Sequence, residues 1–160
     1  MRRLLFFFIL QLVTSVAFSQ TDSSGVYLTA GDFFKRKLAY PCDCKKLKHA
    51  IKLSSLFKYD EVIVLFEGKK IKLNKSDLFG FRDCEKKVYR FFHNTEYRIV
   101  STLKIYLYYK AEETGTAKDQ STANQYFFSA SPDSAIVPLT ISNLKDAYPQ
   151  NKKFHGLLNY

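Results

Sequence analysis

The sequence predicts an α+β domain: an antiparallel sheet, a meander of about six to eight strands, flanked by an N-terminal helix and one or two C-terminal helices. Two observations predict this class. Short alternating or apolar segments follow one another through the middle of the chain, separated by turn residues, and helical patterns occur only near its two ends. Since strands and helices do not alternate, a parallel βαβ arrangement is not favoured.

Residues 1–19 have the pattern of a secretory signal peptide. Residues 1–3 supply a positive end, residues 4–13 form an apolar core, and residues 17–19 place small side chains at the two positions that a signal peptidase recognises. A membrane-spanning helix needs about 20 apolar residues, roughly twice this core. We therefore expect cleavage, no remaining membrane span, and a single exported domain over residues 20–160, periplasmic or secreted.

The first elements after the leader are a short strand over 25–28 and a helix over 29–38. Thr29 can cap this helix, and Asp32, three residues later, completes a capping box. Apolar residues at a spacing of four predict its buried stripe: Ala30, Phe34 and Leu38.

An Ile-Lys-Leu motif at 51–53 recurs at 71–73. The second copy follows a glycine turn and alternates in polarity, so it predicts a strand over 70–74. We extend the strand interpretation to 48–53, where the periodicity fits a helix equally well. Between the two copies, the continuous apolar run 62–66 predicts a central strand buried on both faces.

Later strands are predicted over 78–82 with a bulge at Gly80, 88–92, 97–100, 103–110 and 126–129. The strand over 103–110 has the clearest alternation. Its first face is expected in the core: Leu103, Ile105, Leu107 and Tyr109. Its second face is expected in water: Lys104, Tyr106, Tyr108 and Lys110.

The C-terminal third is predicted to contain one loop, one turn and two helices. Residues 112–124 lack large apolar side chains and predict a mobile loop. Residues 131–134 predict a turn, and Thr140 can cap a helix that ends near 148. A last helical turn over 152–158 is expected to pack three apolar side chains inward: Phe154, Leu157 and Leu158.

The chain is strongly basic, with 25 Lys and Arg against 15 Asp and Glu and a formal charge of +10. Its cations occur in short runs: Lys35-Arg36-Lys37, Lys45-Lys46, Lys69-Lys70, Lys86-Lys87 and Lys152-Lys153. Such a charge favours anionic partners, such as an envelope glycan or lipid, although lysines also serve solubility. Export and the lack of a basic-aromatic recognition motif predict no nucleic-acid partner.

Three cysteines are present, Cys42, Cys44 and Cys84, which is an odd number for an exported chain. A bridge between Cys42 and Cys44 would be strained. The disulfide is therefore expected to join Cys84 to Cys44 or to Cys42, closing a loop of about 40 residues with a stabilisation of about 4 kcal/mol. Three reduced cysteines are the alternative.

No catalytic, metal or cofactor site is predicted. The chain has no Gly-x-Ser-x-Gly motif, its three histidines are scattered, and the Cys42–Cys44 pair with His49 lacks the ligand spacing of a structural zinc site.

The first hypothesis is a non-enzymatic module that binds a protein or an anionic envelope surface. Its contact patch would be the second face of the 103–110 strand: Lys104, Tyr106, Tyr108 and Lys110. The alternative is a small hydrolase or thiol-redox enzyme that uses Cys84 or a carboxylate pair. No oligomeric state is predicted.

Three segments carry a resemblance to known sequences: residues 28–33, residues 78–83 with 88–91, and residues 138–144. In these segments the chain resembles uncharacterised small exported proteins of Bacteroidota. The matching motifs consist of helix caps, turns and strand cores. The resemblance therefore implies an exported location and carries no catalytic residue to this chain.

Overall fold

The computed structural model describes residues 22–47, 50–53, 60–114 and 121–157, with the backbone course alone for 111–114 and 121–124. The expected leader lies outside the described residues. The strands are β1 Ser23–Tyr27, β2 Ala39–Asp43, β3 Ile51–Leu53, β4 Glu61–Phe66, β5 Lys69–Asn74, β6 Gly80–Arg82, β7 Val88–Phe92, β8 Thr95–Ser101, β9 Tyr106–Thr114, β10 Ser121–Ser129 and β11 Val137–Pro138. The helices are α1 Ala30–Phe34, α2 Ile141–Ala147 and α3 Lys152–Leu157.

The larger sheet has eight strands in the order β11-β10-β9-β8-β7-β6-β1-β2, and all its neighbouring strands are antiparallel. Strands β6 to β11 form a meander in chain order, so the predicted antiparallel architecture is confirmed. The β7–β8 connection is tighter than expected, because His93 and Asn94 alone form it with φ values of 48° and 60°. Two consecutive positive φ angles match the twist of a hairpin.

The two Ile-Lys-Leu copies form the outer strands of a separate three-stranded sheet, β3-β4-β5. Ile51 and Ile71 both lie opposite Val64, from its two sides. The prediction that the β4 segment is buried on both faces is wrong. Val62 and Val64 are fully buried, whereas Ile63 between them is half-buried. This follows from the packing of the small sheet, which covers the larger sheet with one face only.

The first core lies between the small sheet and strands β1, β6 and β7. Its buried members are Val26, Val62, Val64, Leu78, Phe81 and Phe91. Gly80 begins β6 with regular pairing, so the predicted bulge is wrong. Glycine is required there by a close approach, since a Cβ would overlap the carbonyl group of Tyr89.

The predicted helix over 29–38 is not supported; only the five residues of α1 are helical. The capping box forms as expected, since Thr29 Oγ1 accepts the Asp32 N–H and the Asp32 carboxylate accepts the Thr29 N–H. The helix ends early because the N–H groups of Arg36 and Lys37 donate to Phe33 and Asp32 carbonyls in a Schellman turn. Consequently Phe34 is half exposed rather than buried.

The predicted mobile loop over 112–124 is also wrong where the structure describes it. Strand β9 continues to Thr114 and β10 begins at Ser121, and their residues pair one to one. The segment lacks large apolar residues, but the backbone hydrogen bonds of a regular hairpin do not depend on them. Residues 115–120 lie outside the described part of the chain.

The C-terminal elements follow the prediction in part. The turn at 131–134 is closed by hydrogen bonds between Ser131 and Ser134, and Thr140 Oγ1 accepts the Asn143 N–H at the start of α2. Phe154 packs edge-on against Tyr148, whereas Leu157 is 68% exposed, contrary to expectation. No helix within the described segments is long and apolar enough to cross a bilayer.

Candidate functional site

A groove of about 840 Å³ lies beside α1. Tyr27, Arg82 and Val88, which lie on one face of β1, β6 and β7, form its floor. Residues 33–36 form one wall, and Thr102, in the β8–β9 connection, completes the rim. The three-stranded sheet packs on the opposite face of the large sheet and leaves this face open.

Arg36 reaches the groove from the turn that ends α1. Its φ is 54°, the left-handed region in which glycine is the usual residue at this position of a Schellman turn. An L-residue there costs about 1–2 kcal/mol relative to a right-handed conformation. The structure therefore places an exposed guanidinium beside the groove at a position where the backbone alone would favour glycine.

Lys86 also lines the groove, from the turn between β6 and β7, and it too has a left-handed φ, of 66°. Its ammonium lies 2.9 Å from the Asp22 carboxylate, and both side chains are well exposed. The hydrogen bond and the charge of Lys86 lower the pKa of Asp22. Because water surrounds this pair, an incoming anion can compete with Asp22 for Lys86 at small cost.

Arg82 and Tyr27 lie on the floor. The Arg82 guanidinium donates to the Ser23 carbonyl oxygen from Nε at 2.9 Å and from Nη2 at 2.7 Å, which fixes its orientation. Tyr27 is 2% exposed, and burial raises its pKa while the charges of Arg82 and Arg36 oppose the rise. The Tyr27 hydroxyl thus keeps its proton at neutral pH and is a hydrogen-bond donor near two cations.

The groove combines positive charge with aromatic surface. Four cations line it, Lys35, Arg36, Arg82 and Lys86, against the two carboxylates of Asp22 and Asp83. Asp83 is engaged in its own turn, where Oδ1 accepts the Lys87 N–H at 2.9 Å. The aromatic wall is Phe33, whose ring contacts Tyr27 and stacks on Phe79 at 5.3 Å. The arrangement can hold an anion that also presents an apolar portion.

One cysteine of a disulfide, Cys84, lines the groove. Cys44 pairs with Cys84, one of the two pairings that the sequence left open, with Cα atoms 5.5 Å apart. Cys42 is unpaired and half-buried. Since Cys84 lines the groove but is bridged, it does not present a thiol nucleophile in this state.

The predicted contact patch does not form a continuous exposed surface. Tyr108 is fully buried, Tyr106 and Lys110 are half-buried, and Lys104 alone is exposed. The prediction that this face is in water is therefore wrong, and Leu103, expected in the core, is 92% exposed. Tyr108 is buried and Tyr106 half-buried because this face of β9 packs in a second core with Phe127 and Ile136.

Tyr108 can be buried in this core because Arg90 provides a hydrogen-bond partner for its hydroxyl. The Arg90 guanidinium donates to the Tyr108 hydroxyl at 2.9 Å, to Ser129 Oγ at 3.3 Å and to the Ser134 carbonyl oxygen at 2.8 Å. Tyr108 and Ser129 also share a hydrogen bond of 3.0 Å. Every polar group of the predicted patch that is buried thus has a structural partner.

Comparisons of the chain with protein-family models, curated proteins and solved structures found no match. The groove must therefore be interpreted from its own residues. Sequence reasoning identified the Lys35-Arg36-Lys37 and Lys86-Lys87 runs as basic but did not connect them. A local signal could have singled out the first run alone: a capping box followed by two phenylalanines and three cations.

Proposed function

We propose that this chain is an exported, non-enzymatic module that binds an anionic ligand in the basic groove. The observation that carries the proposal is the convergence of Arg36, Arg82 and Lys86 on one concave, partly aromatic surface. A lysine that serves only solubility can stand anywhere on the surface. Arg36 and Lys86 lie together at the groove, and both occupy left-handed backbone positions, as do four non-glycine residues outside the groove lining.

Export is supported by the leader pattern and by the Cys44–Cys84 disulfide, which is typical of oxidising compartments. The hydrolase alternative receives little support from the groove. Hydrolysis with a carboxylate pair requires one acid with a raised pKa, whereas Lys86 lowers the pKa of Asp22. The thiol alternative would first require reduction of the bridge at Cys84.

Replacing the two left-handed cations by glycine tests the proposal. The double variant Arg36→Gly/Lys86→Gly relieves backbone strain and should leave the thermal midpoint within about 5 °C of the native value. Two lost charges should weaken binding of inositol hexakisphosphate, a compact polyanion, by about tenfold or more in low salt. Isothermal titration calorimetry measures this affinity.

The matched control removes two cations from the far side of the molecule. Lys70 and Lys72 are exposed on β5, in the small sheet, and Lys70→Gln/Lys72→Gln leaves the same net charge as the groove variant. It should bind the polyanion nearly as tightly as the native protein. Equal affinities for the groove variant and the native protein, or an equal loss in the control, would show that the groove is not the binding site.

A further inference from the structure

We infer that the anionic partner of the groove is the headgroup surface of a lipid bilayer, onto which the molecule docks through the groove's rim. This inference rests on the proposed function and names the partner. It comes from apolar side chains that the binding of a soluble anion would leave in water.

Two large apolar side chains stand out from the rim. Leu103 is 92% exposed and follows directly after Thr102, which lines the groove. Phe34, at the end of α1, is 51% exposed, and its ring lies 6.2 Å from that of Tyr106 at the start of β9. The end of α1 and the start of β9 are thus neighbours, and each of these two regions carries an exposed apolar residue near the groove.

Each of these side chains is followed in the chain by exposed cations. Phe34 precedes Lys35-Arg36-Lys37, and Leu103 precedes Lys104. An apolar side chain beside lysine or arginine matches the boundary of an anionic bilayer, where acyl chains lie beneath phosphate groups. Of the predicted contact patch, Lys104 thus takes part in this surface, while Tyr108 does not.

Charge and apolarity together select the partner. Inorganic phosphate or a soluble glycan would engage Arg36, Arg82 and Lys86 and make no use of Leu103. A neutral bilayer would accept Leu103 and Phe34 but would offer no counter-charge to the groove. Of these three partners, the anionic bilayer is the one that engages both the cations and the apolar side chains.

Removing the Leu103 side chain separates the lipid partner from a soluble anion. Leu103 is almost fully exposed, so Leu103→Ser should not affect folding. We expect it to reduce partition onto phosphatidylcholine vesicles containing phosphatidylglycerol by about tenfold and to leave the affinity for inositol hexakisphosphate unchanged. Vesicle flotation and calorimetry give the two readings. The intact mass of the purified exported protein is recorded first, because an uncleaved leader would itself bind lipid.

Leu157→Ser is the matched control, because Leu157 is 68% exposed on α3 and does not line the groove. It should bind anionic vesicles as the native protein does, and neither protein should bind pure phosphatidylcholine. If Leu103→Ser keeps full vesicle binding, or the native protein does not bind anionic vesicles, the lipid inference is wrong while the groove remains an anion site. If the variant Arg36→Gly/Lys86→Gly also binds anionic vesicles and inositol hexakisphosphate as tightly as the native protein does, the proposed function is wrong as well as the lipid inference.

Discussion

The structure buries the charged side chain of Arg90, which is only 5% exposed. Within the described residues no carboxylate forms an ion pair with it. Its charge is instead solvated by hydroxyl and carbonyl oxygens and by the rings of Phe79, Phe92 and Tyr108, each with a centroid under 6 Å from Cζ. The free-energy cost of burying an arginine stays small only when protein groups replace the hydrogen bonds that water made to the guanidinium.

Removing the Tyr108 hydroxyl should destabilise the protein without affecting binding. Tyr108→Phe deletes an acceptor for a buried guanidinium, which should lower the free energy of unfolding by about 1.5–3 kcal/mol. Urea unfolding measures this loss, with Tyr106→Phe as a half-buried control expected to change stability by about 0.5 kcal/mol or less. Unchanged stability with weakened anion binding would instead restore the predicted contact patch.

At the scale of elements, capping motifs of a few residues predicted the structure better than the composition of a whole segment did. The capping box at Thr29 and the cap at Thr140 each depend on a threonine side chain that accepts the backbone N–H three residues later, and both formed. The length of α1 could not be predicted, because the turn at Arg36 competes with further helix. The 112–124 loop prediction failed because strand pairing uses the backbone, which composition does not report.

The sequence could not decide whether Cys44 or Cys42 pairs with Cys84, because the two candidates lie only two residues apart. In the fold, the Cys44 N–H donates to the carbonyl oxygen of Asp22, the residue before β1, at 2.9 Å, and the Asp22 carboxylate pairs with Lys86 of the β6–β7 turn. The disulfide therefore ties together two elements that are not neighbours in the sheet, because β1 lies between them.

Breaking this bridge should cost much more stability than removing the unpaired thiol. Cys84→Ser should lower the free energy of unfolding by about 4 kcal/mol, because the bridge closes a long loop, whereas Cys42→Ser should change it by about 1 kcal/mol or less. Urea unfolding without reductant compares the two variants. A larger loss in Cys42→Ser would assign the bridge to Cys42 and contradict the structure.

At the scale of the whole molecule, the two faces of the large sheet have different roles. The small sheet packs against one face and buries the first core. The other face carries the second core at the β8–β10 end and the groove beside β1. The groove is assembled from residues within 22–41, residues within 82–88 and Thr102, so no single stretch of sequence could reveal it. The sequence predicted the strands and the charge, while the packing of separate segments decides where that charge gathers.

The most direct test of the anion-binding groove follows backbone amide chemical shifts in the native protein during titration with inositol hexakisphosphate. Saturable shifts should concentrate at Arg36, Arg82 and Lys86, which lie far apart in sequence and together in space. The amides of Lys70 and Lys72 should remain unchanged. Shifts spread evenly over all lysine-rich segments, or centred on β5, would contradict a specific groove and would leave the charge a general property of the surface.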